Sequence, residues 1–206
     1  MNLQQSPLRH LKFQDGEDLT IHSETSGQRF GNFPSVKKGV SGMIVVSDTT
    51  PLISLLKIDR IDLLEKLFGN VLIPQAVYEE LTMDERFKME ADQLKQKEFI
   101  IIQPVTNRES VSILKRATGL DQGESEAIVL TDEIHAELLL MDEAKGRAVS
   151  TQMGFQIMGT IGVLMAAYEE HELTSDEVKE CVLRLQRAGR HIGQRHYQIL
   201  LNMLND

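Results

Sequence analysis

Apolar and polar positions divide the chain into two unequal parts. From Met43 onward, short apolar runs alternate with longer stretches in which apolar residues recur every three or four positions. The short runs are typical of buried strands, and the longer stretches are typical of helices that cover a sheet. We therefore predict an α/β fold, a three-layer α/β/α sandwich with a mostly parallel central sheet of about five strands. The predicted strands are 44–47, 71–73, 99–103, 137–141 and 155–158.

Residues 1–42 form the other part. They are rich in Gln, Ser, Gly, Asp and His, and their apolar residues keep no sustained period. This composition predicts a poorly ordered or partner-dependent extension, with the compact domain spanning 43–206. One hypothesis is that the extension is dispensable, and a chain beginning at Met43 that failed to fold would contradict it.

The first informative segment is MIVVSDTTPLI, which begins at Met43. A buried strand would deliver Asp48 to the end of the sheet, where the chain turns directly into a helix. We predict that Thr50 caps this helix and that Pro51 occupies its first position, where a missing N–H costs nothing. Asp48 is therefore either a turn residue or a group that takes part in chemistry, and this segment alone leaves both interpretations open.

The next stretch predicts two helices over residues 52–67, with a break near Asp59, and a further helix after Pro74 that carries Glu79 and Glu80. Residues 84–98 are rich in Glu, Lys and Gln, which predicts a solvated helix or a linking arm rather than a site.

The second informative segment is LDQGESEAI. Asp121 is predicted to cap a helix with Glu124 at its third position, which is the outline of a capping box, so Glu124 has a structural interpretation beside the functional one. Each residue turns a helix by about 100°, so Glu126 lies roughly 200° around from Glu124. The two carboxylates cannot both face one pocket.

A third segment, ELLLM, delivers Asp142 and Glu143 to the end of another strand. Functional crevices of open α/β sheets lie at the carboxyl ends of the strands, and Asp48 lies at such an end as well. Glu79, Glu80 and Glu124 lie near the starts of helices that approach the same edge. Carboxylates brought together repel one another, and a divalent cation resolves that repulsion. Ligands that are all oxygens select Mg²⁺ or Mn²⁺ over Zn²⁺.

The C-terminal part of the chain contains a cluster of basic residues near the junction of two predicted amphipathic helices, about 175–188 and 194–204. The cluster is either a solvated helix face or a local patch that holds phosphates. Its members are Lys179, Arg184, Arg187, Arg190, His191, Arg195 and His196.

The amino-acid composition limits the binding partners and the cellular location that we expect for this chain. With 22 basic and 31 acidic residues, a net charge of −9, the chain is not one that coats nucleic acid through its overall field, although a local basic groove is compatible with it. Cys181 is the only cysteine, so an internal disulfide is excluded and a reducing, cytoplasmic setting is expected. We expect no membrane association, because no apolar run approaches the roughly 20 residues of a span and the N-terminus lacks the order of a secretion signal.

Five segments, in order, resemble the PIN domains, specifically a prokaryotic subgroup close to the VapC-type toxin nucleases. The resemblance covers nearly all of residues 43–205. The segments are MIVVSDTTPLI, VLIPQAVYEEL, LDQGESEAI, LLLMDEAKGR and GFQIMGTIGVL.

This resemblance implies an acidic pocket that binds Mg²⁺ or Mn²⁺ and cleaves RNA. It also implies a toxin component held in check by a small antitoxin protein, and a homodimer. The implied catalytic and metal-binding residues are Asp48, Glu80, Glu124 and Asp142, with Glu143 as an auxiliary metal ligand; Glu79 is the weaker match to the position before Leu81. Glu124 stands where the toxins commonly have Asp. Thr49 or Thr50 matches the hydroxyl that often supports the first aspartate, Asp48, and Arg147 lies where a cation could touch a phosphate. In the C-terminal basic cluster, the candidate phosphate-binding residues are Arg187, Arg190 and Arg195.

Two other functions are compatible with the sequence. One is a PIN-like module that binds RNA or a protein without cutting. The other is a phosphatase of the haloacid-dehalogenase type, but such enzymes need a second Asp two residues after the first, and Thr50 occupies that position.

Overall fold

The computed structural model describes residues 43–190 together with Leu200 and Leu204. The predicted extension 1–42, most of the predicted helix 194–204, and the basic residues His191, Arg195 and His196 lie outside the described residues.

Five strands form one sheet in the order β3-β2-β1-β4-β5, and every neighbouring pair is parallel. The predicted α/β/α fold is therefore confirmed, and each predicted strand is present with its ends shortened by at most two residues. Strand β1 lies at the centre of the sheet, and both it and its neighbour β4 are buried throughout, as expected for a sheet covered on both faces. The strands are β1 (Val45–Ser47), β2 (Val71–Ile73), β3 (Ile100–Ile102), β4 (Leu138–Leu140) and β5 (Ile157–Met158).

Nine α-helices belong to the described part of the chain. The break predicted near Asp59 is confirmed, since Asp59 adopts a left-handed φ of 58° between the first two helices. The helix at 108–118 is one that the sequence patterns did not indicate. The helices are α1 (Thr49–Lys57), α2 (Asp62–Phe68), α3 (Gln75–Met83), α4 (Lys88–Leu94), α5 (Arg108–Thr118), α6 (Gln122–Glu133), α7 (Ala144–Gln152), α8 (Thr160–Glu169) and α9 (Ser175–Arg187), and a 3₁₀ turn (Glu85–Phe87) precedes α4.

Two hydrophobic cores lie on opposite faces of the sheet because successive strand residues point in opposite directions. Val45 and Leu140 enter the larger core, which is shared with α1–α4, α8 and α9. Val46 and Leu139 enter the smaller core, which is shared with α5–α7. In the described part of the chain, no helix is both long and apolar enough to cross a membrane.

Helix α1 begins at Thr49, so the prediction that Thr50 caps it is wrong. The backbone N–H of Asp48 still donates to Leu140 in the neighbouring strand, at 2.9 Å, and the chain enters the helix immediately afterwards. Asp48 thus occupies the N-cap position, but its side chain makes no capping hydrogen bond. The prediction that Pro51 occupies the first position is also wrong, because Pro51 is the third residue of the helix. It still lies within the first turn, where a backbone N–H has no partner inside the helix.

Helix α3 is capped by a residue of α6. Pro74 occupies its N-cap position and has no side-chain acceptor, and the Ala76 N–H instead donates to Glu126 Oε2 at 3.1 Å. The other oxygen of Glu126 accepts from Arg108 Nη1 and from Gln122 Nε2, both at 2.8 Å. Glu126 therefore joins α3, α5 and α6 on the side of α6 that faces away from Glu124, as helix geometry predicted.

We expect Glu126→Ala to lower the free energy of unfolding by about 2 kcal/mol, because the variant removes a helix cap and leaves the Ala76 N–H unsatisfied. Urea unfolding measures the change. Glu169→Ala, an exposed glutamate on α8, is the matched control and should change stability by less than about 0.5 kcal/mol. Equal losses in the two variants would show that Glu126 does not stabilise the junction.

Candidate metal centre

An acidic cavity of about 340 Å³ lies at the carboxyl end of β1, beside the first turns of α1, α6 and α7. Four glutamate and aspartate positions predicted from the sequence reach it, and Asp121 and Lys145 join them. The cavity is lined by Asp48, Thr49, Thr50, Glu80, Asp121, Glu124, Glu143 and Lys145.

Asp48 is the most deeply placed carboxylate in this cavity, with 3% of its surface exposed. Burial, by removing water from the charged form, raises the pKa of Asp48 from 3.8 to about 7. The Thr49 amide N–H opposes that rise, and the negative charges of Asp121, Glu124 and Glu80 add to it. Asp48 does not cap its helix and forms no ion pair with another described residue. A buried carboxylate in this situation destabilises the fold unless something binds it.

Glu80 reaches the cavity from α3, and Glu79 does not. The Thr49 hydroxyl donates to Glu80 Oε2 at 2.6 Å, so this hydroxyl supports Glu80 and not Asp48, the residue that the resemblance implied. Glu79 instead accepts from Gln75 Nε2 at 2.8 Å. Helices α3 and α6 approach closely at Gly123, where a Cβ would lie 3.2 Å from Glu80 Oε2. A side chain at position 123 would therefore press on Glu80.

Glu124 has both roles that its position suggested: it belongs to a capping box and it lines the acidic cavity. The capping box is complete: Glu124 N donates to Asp121 Oδ1 at 2.8 Å, and Asp121 N donates to Glu124 Oε2 at 3.0 Å. The side chain also lines the acidic cavity, and burial raises its pKa, with the Asp121 amide opposing the rise. A Cβ at Gly146 would lie 3.1 Å from Glu124 Oε1, so this glycine leaves room for the carboxylate.

Asp142 lies in a neighbouring cavity of about 320 Å³, which we call the arginine cavity. Thr50 and Glu143 line both cavities and form the wall between them. Asp142 was predicted to share a pocket with Asp48. In the structure the two residues line separate cavities that adjoin each other. The arginine cavity is lined by Thr50, Ser54, Asp142, Glu143, Thr160, Ile161, Leu185 and Arg190.

Both oxygens of Asp142 accept hydrogen bonds from Thr160. The Thr160 N–H donates to Oδ1 at 2.8 Å, and the Thr160 hydroxyl donates to Oδ2. Gly159 occupies the N-cap position of α8 and has no side chain, so Asp142 caps this helix from the segment that follows β4. Asp142 therefore has a structural role that its position after β4 did not reveal.

The predicted phosphate-binding arginines have different surroundings. Arg190 lines the arginine cavity, and its buried Nε has no hydrogen-bond partner within the described part of the chain. Arg147 donates from Nη1 to the Met141 carbonyl at 2.8 Å and lines neither cavity. Arg187 is exposed on α9 and also lines neither cavity. Arg195 lies outside the described residues.

Asp121 and Lys145 are the cavity residues that the sequence did not identify as functional. The sequence indicated only helix capping for Asp121, and Lys145 lies only three residues after Asp142. A search for acids at strand ends does not find these two residues, because both reach the cavity from the beginnings of helices.

The side chains that line the acidic cavity have the chemistry that a hard divalent cation prefers. Its acidic side chains offer only oxygen, and the Asp48 carboxylate forms no ion pair with a cation among the described residues. Asp48, Glu80, Glu124 and Glu143 are the residues that would hold such an ion. Among the residues that the structure describes, however, no three His, Cys, Asp or Glu side chains stand close enough to form a complete metal-binding group.

These features define an α/β/α domain with an acidic cavity at the carboxyl edge of an all-parallel sheet. A family model described as a PIN domain, DUF3368, matches residues 44–206, so the chain belongs to the PIN domain family. PIN domains are generally nucleases, and PIN nucleases generally use divalent metal ions. No curated protein matches the chain.

Proposed function

We propose that this chain is a Mg²⁺- or Mn²⁺-dependent ribonuclease that hydrolyses RNA phosphodiester bonds at the acidic cavity. The observation that carries the proposal is Asp48, a buried and uncapped carboxylate with a raised pKa, surrounded by further acids in a PIN domain. An isolated buried charge is costly, and such perturbed groups cluster at functional sites.

In this proposal the residues of the cavity would have different roles. Asp48, Glu80, Glu124 and Glu143 would hold the ion, and the Thr49 hydroxyl would orient Glu80. A bound divalent ion supplies Lewis acidity and lowers the pKa of a bound water, which is the chemistry that phosphodiester hydrolysis needs. Asp142 would keep the start of α8 beside the cavity, and Lys145 would offset part of the repulsion between the carboxylates and a phosphate.

The resemblance to VapC-type toxins extends the proposal to the biological setting. We infer a toxin component of a toxin–antitoxin pair, inhibited by a small antitoxin protein, active as a homodimer in the cytoplasm. Residues 1–42 would be an appendage to the nuclease domain. Co-expression with a neighbouring small gene product tests this extension, since a toxin should arrest growth alone and not with its antitoxin.

Two adjacent glutamates provide the test of the nuclease proposal. Glu80→Gln should lower RNA cleavage by about 100-fold, a loss of about 2.7 kcal/mol of transition-state stabilisation, because it removes a charged ligand. Glu79→Gln should cleave within about twofold of the wild type, since this side chain binds Gln75 outside the cavity. The measurement is the cleavage rate of single-stranded RNA with Mn²⁺ and with EDTA. Equal rates in the two variants, or full wild-type activity in EDTA, would contradict the proposal.

One observation favours a second candidate, a PIN-like module that binds RNA without cutting it. Thr160 occupies both oxygens of Asp142, so one of the predicted acids is already engaged. Calorimetry with Mn²⁺ separates the two functions when it is combined with an RNA-binding assay. A protein that binds RNA, has no affinity for Mn²⁺ and cleaves nothing would be the non-cutting module.

A further inference from the structure

Helix α5 presents a basic surface beside the acidic cavity. Arg108 and Lys115 are seven residues apart and share one side of the helix, and Arg116 follows next to them. With Gln122 of α6, they border a shallow cavity of about 350 Å³. Among the described residues no carboxylate lines this cavity, although acidic residues outnumber basic ones in the chain by 31 to 22.

Three cations of this region form no close ion pair with a carboxylate of the described residues, although the charge of Lys145 opposes the rise in the pKa of Glu124. Lys115 Nζ donates to the neutral amide oxygen of Gln122 at 2.8 Å. Lys145 Nζ donates to the Gly119 carbonyl at 2.9 Å. Arg116 is exposed and forms no ion pair with another described residue. Arg108 differs, because Glu126 largely neutralises it at 2.8 Å. Lys115, Arg116 and Lys145 therefore form a strip of positive charge, which we call the cationic strip.

The cationic strip continues into the acidic cavity. Lys145 lies over the turn between α5 and α6, where a Cβ at Gly119 would come within 2.9 Å of its Nζ, and it lines the acidic cavity together with Asp121. Gln122, which accepts from Lys115, is the next residue after Asp121. The two surfaces thus meet at this turn.

We propose that the cationic strip binds the phosphate backbone of single-stranded RNA and directs it to the acidic cavity. This inference rests on the proposed nuclease function. A cavity lined by several carboxylates repels a polyanion, so a substrate strand needs cations beside the cavity in order to approach it. Unpaired cations that neutralise phosphates supply such binding without reading sequence. Continuity with the cavity of a nuclease-type fold favours RNA over an acidic protein as the occupant.

Substitutions in the full chain test the strip through RNA binding in EDTA, where cleavage does not interfere. The Lys115→Gln/Arg116→Gln variant should bind a short single-stranded RNA of mixed sequence about tenfold more weakly by fluorescence anisotropy. The slope of log K against log salt should become shallower by about 1.4, because each lost phosphate contact removes about 0.7. Lys145→Gln should weaken binding in the same direction with about half that change in slope.

The matched control is Lys88→Gln/Lys97→Gln, which removes the same number of positive charges at the first residue of α4 and in the turn between α4 and β3; neither lysine lines the cavity beside α5. Its affinity and salt slope should stay at wild-type values. The proposal would be overturned if the control variant lost as much affinity as the strip variants, or if the strip variants lost none. It would also be overturned if the wild type bound no RNA, or if polyglutamate competed as strongly as RNA. Binding that depends on the strip, together with absent cleavage in Mn²⁺, would instead refute only the nuclease function.

Discussion

Replacing Asp48 by asparagine is expected to lower RNA cleavage by about 10³-fold while it stabilises the folded protein above pH 7. The asparagine side chain would keep the shape of the aspartate but lose its charge, so it would no longer hold a divalent ion; the lost transition-state stabilisation is about 4 kcal/mol. The same change removes a buried negative charge from a group that is 3% exposed. Loss of activity with a gain in stability distinguishes a site residue from a structural one.

The control for this experiment is Asp59→Asn at the other end of α1. Asp59 is exposed and has a φ of 58°, a conformation that asparagine tolerates, so neither cleavage nor stability should change appreciably. Cleavage rates and urea unfolding are measured on the same preparations. If Asp48→Asn cleaved RNA at the wild-type rate, or if it lost activity together with stability, Asp48 would not be the charged ligand proposed.

The second large effect is a dependence of stability on pH. Asp48 binds its proton more tightly in the folded state, with a pKa of about 7, than in the unfolded chain, where the ordinary value is 3.8. Between these values the folded state holds more protons, so the free energy of unfolding should fall as pH rises from about 4 to about 7 and then level off. The contribution of this group is on the order of 4 kcal/mol.

Chemical unfolding of the wild type and Asp48→Asn across this pH range, in EDTA, measures that contribution. The stability difference between the two proteins should be small near pH 4 and largest above pH 7, in favour of the variant. Glu124, whose pKa is also raised by burial, adds a smaller decline that both proteins share. A constant difference across the range would show that Asp48 titrates normally in the folded protein.

The sheet could be predicted because its central strands are continuous apolar runs, a signal contained within each segment. Helix α5 escaped prediction because its buried face consists of little more than Val111 and Leu114 among polar residues. Its ends carried usable signals: Asn107 caps the helix through its side chain, and Gly119 ends it in the left-handed conformation.

The candidate site could be predicted only in part. Acids at strand ends and helix starts had to approach one edge, so Asp48, Glu80, Glu124 and Glu143 reach a common cavity. The hydrogen bonds of Asp142 depend on Thr160, a residue 18 positions away that meets it because β5 pairs with β4. The roles of Asp121 and Lys145 likewise depend on how the helices meet at the cavity. A local sequence pattern does not predict that arrangement.

Anomalous diffraction from a Mn²⁺-soaked crystal would show whether the acidic cavity is a metal centre. We expect an ion in this cavity, with oxygens from at least two of Asp48, Glu80, Glu124 and Glu143 at about 2.0–2.6 Å. A crystal that binds Mn²⁺ elsewhere, or leaves the cavity without an ion at saturating Mn²⁺, would contradict the claim that these carboxylates form a metal centre.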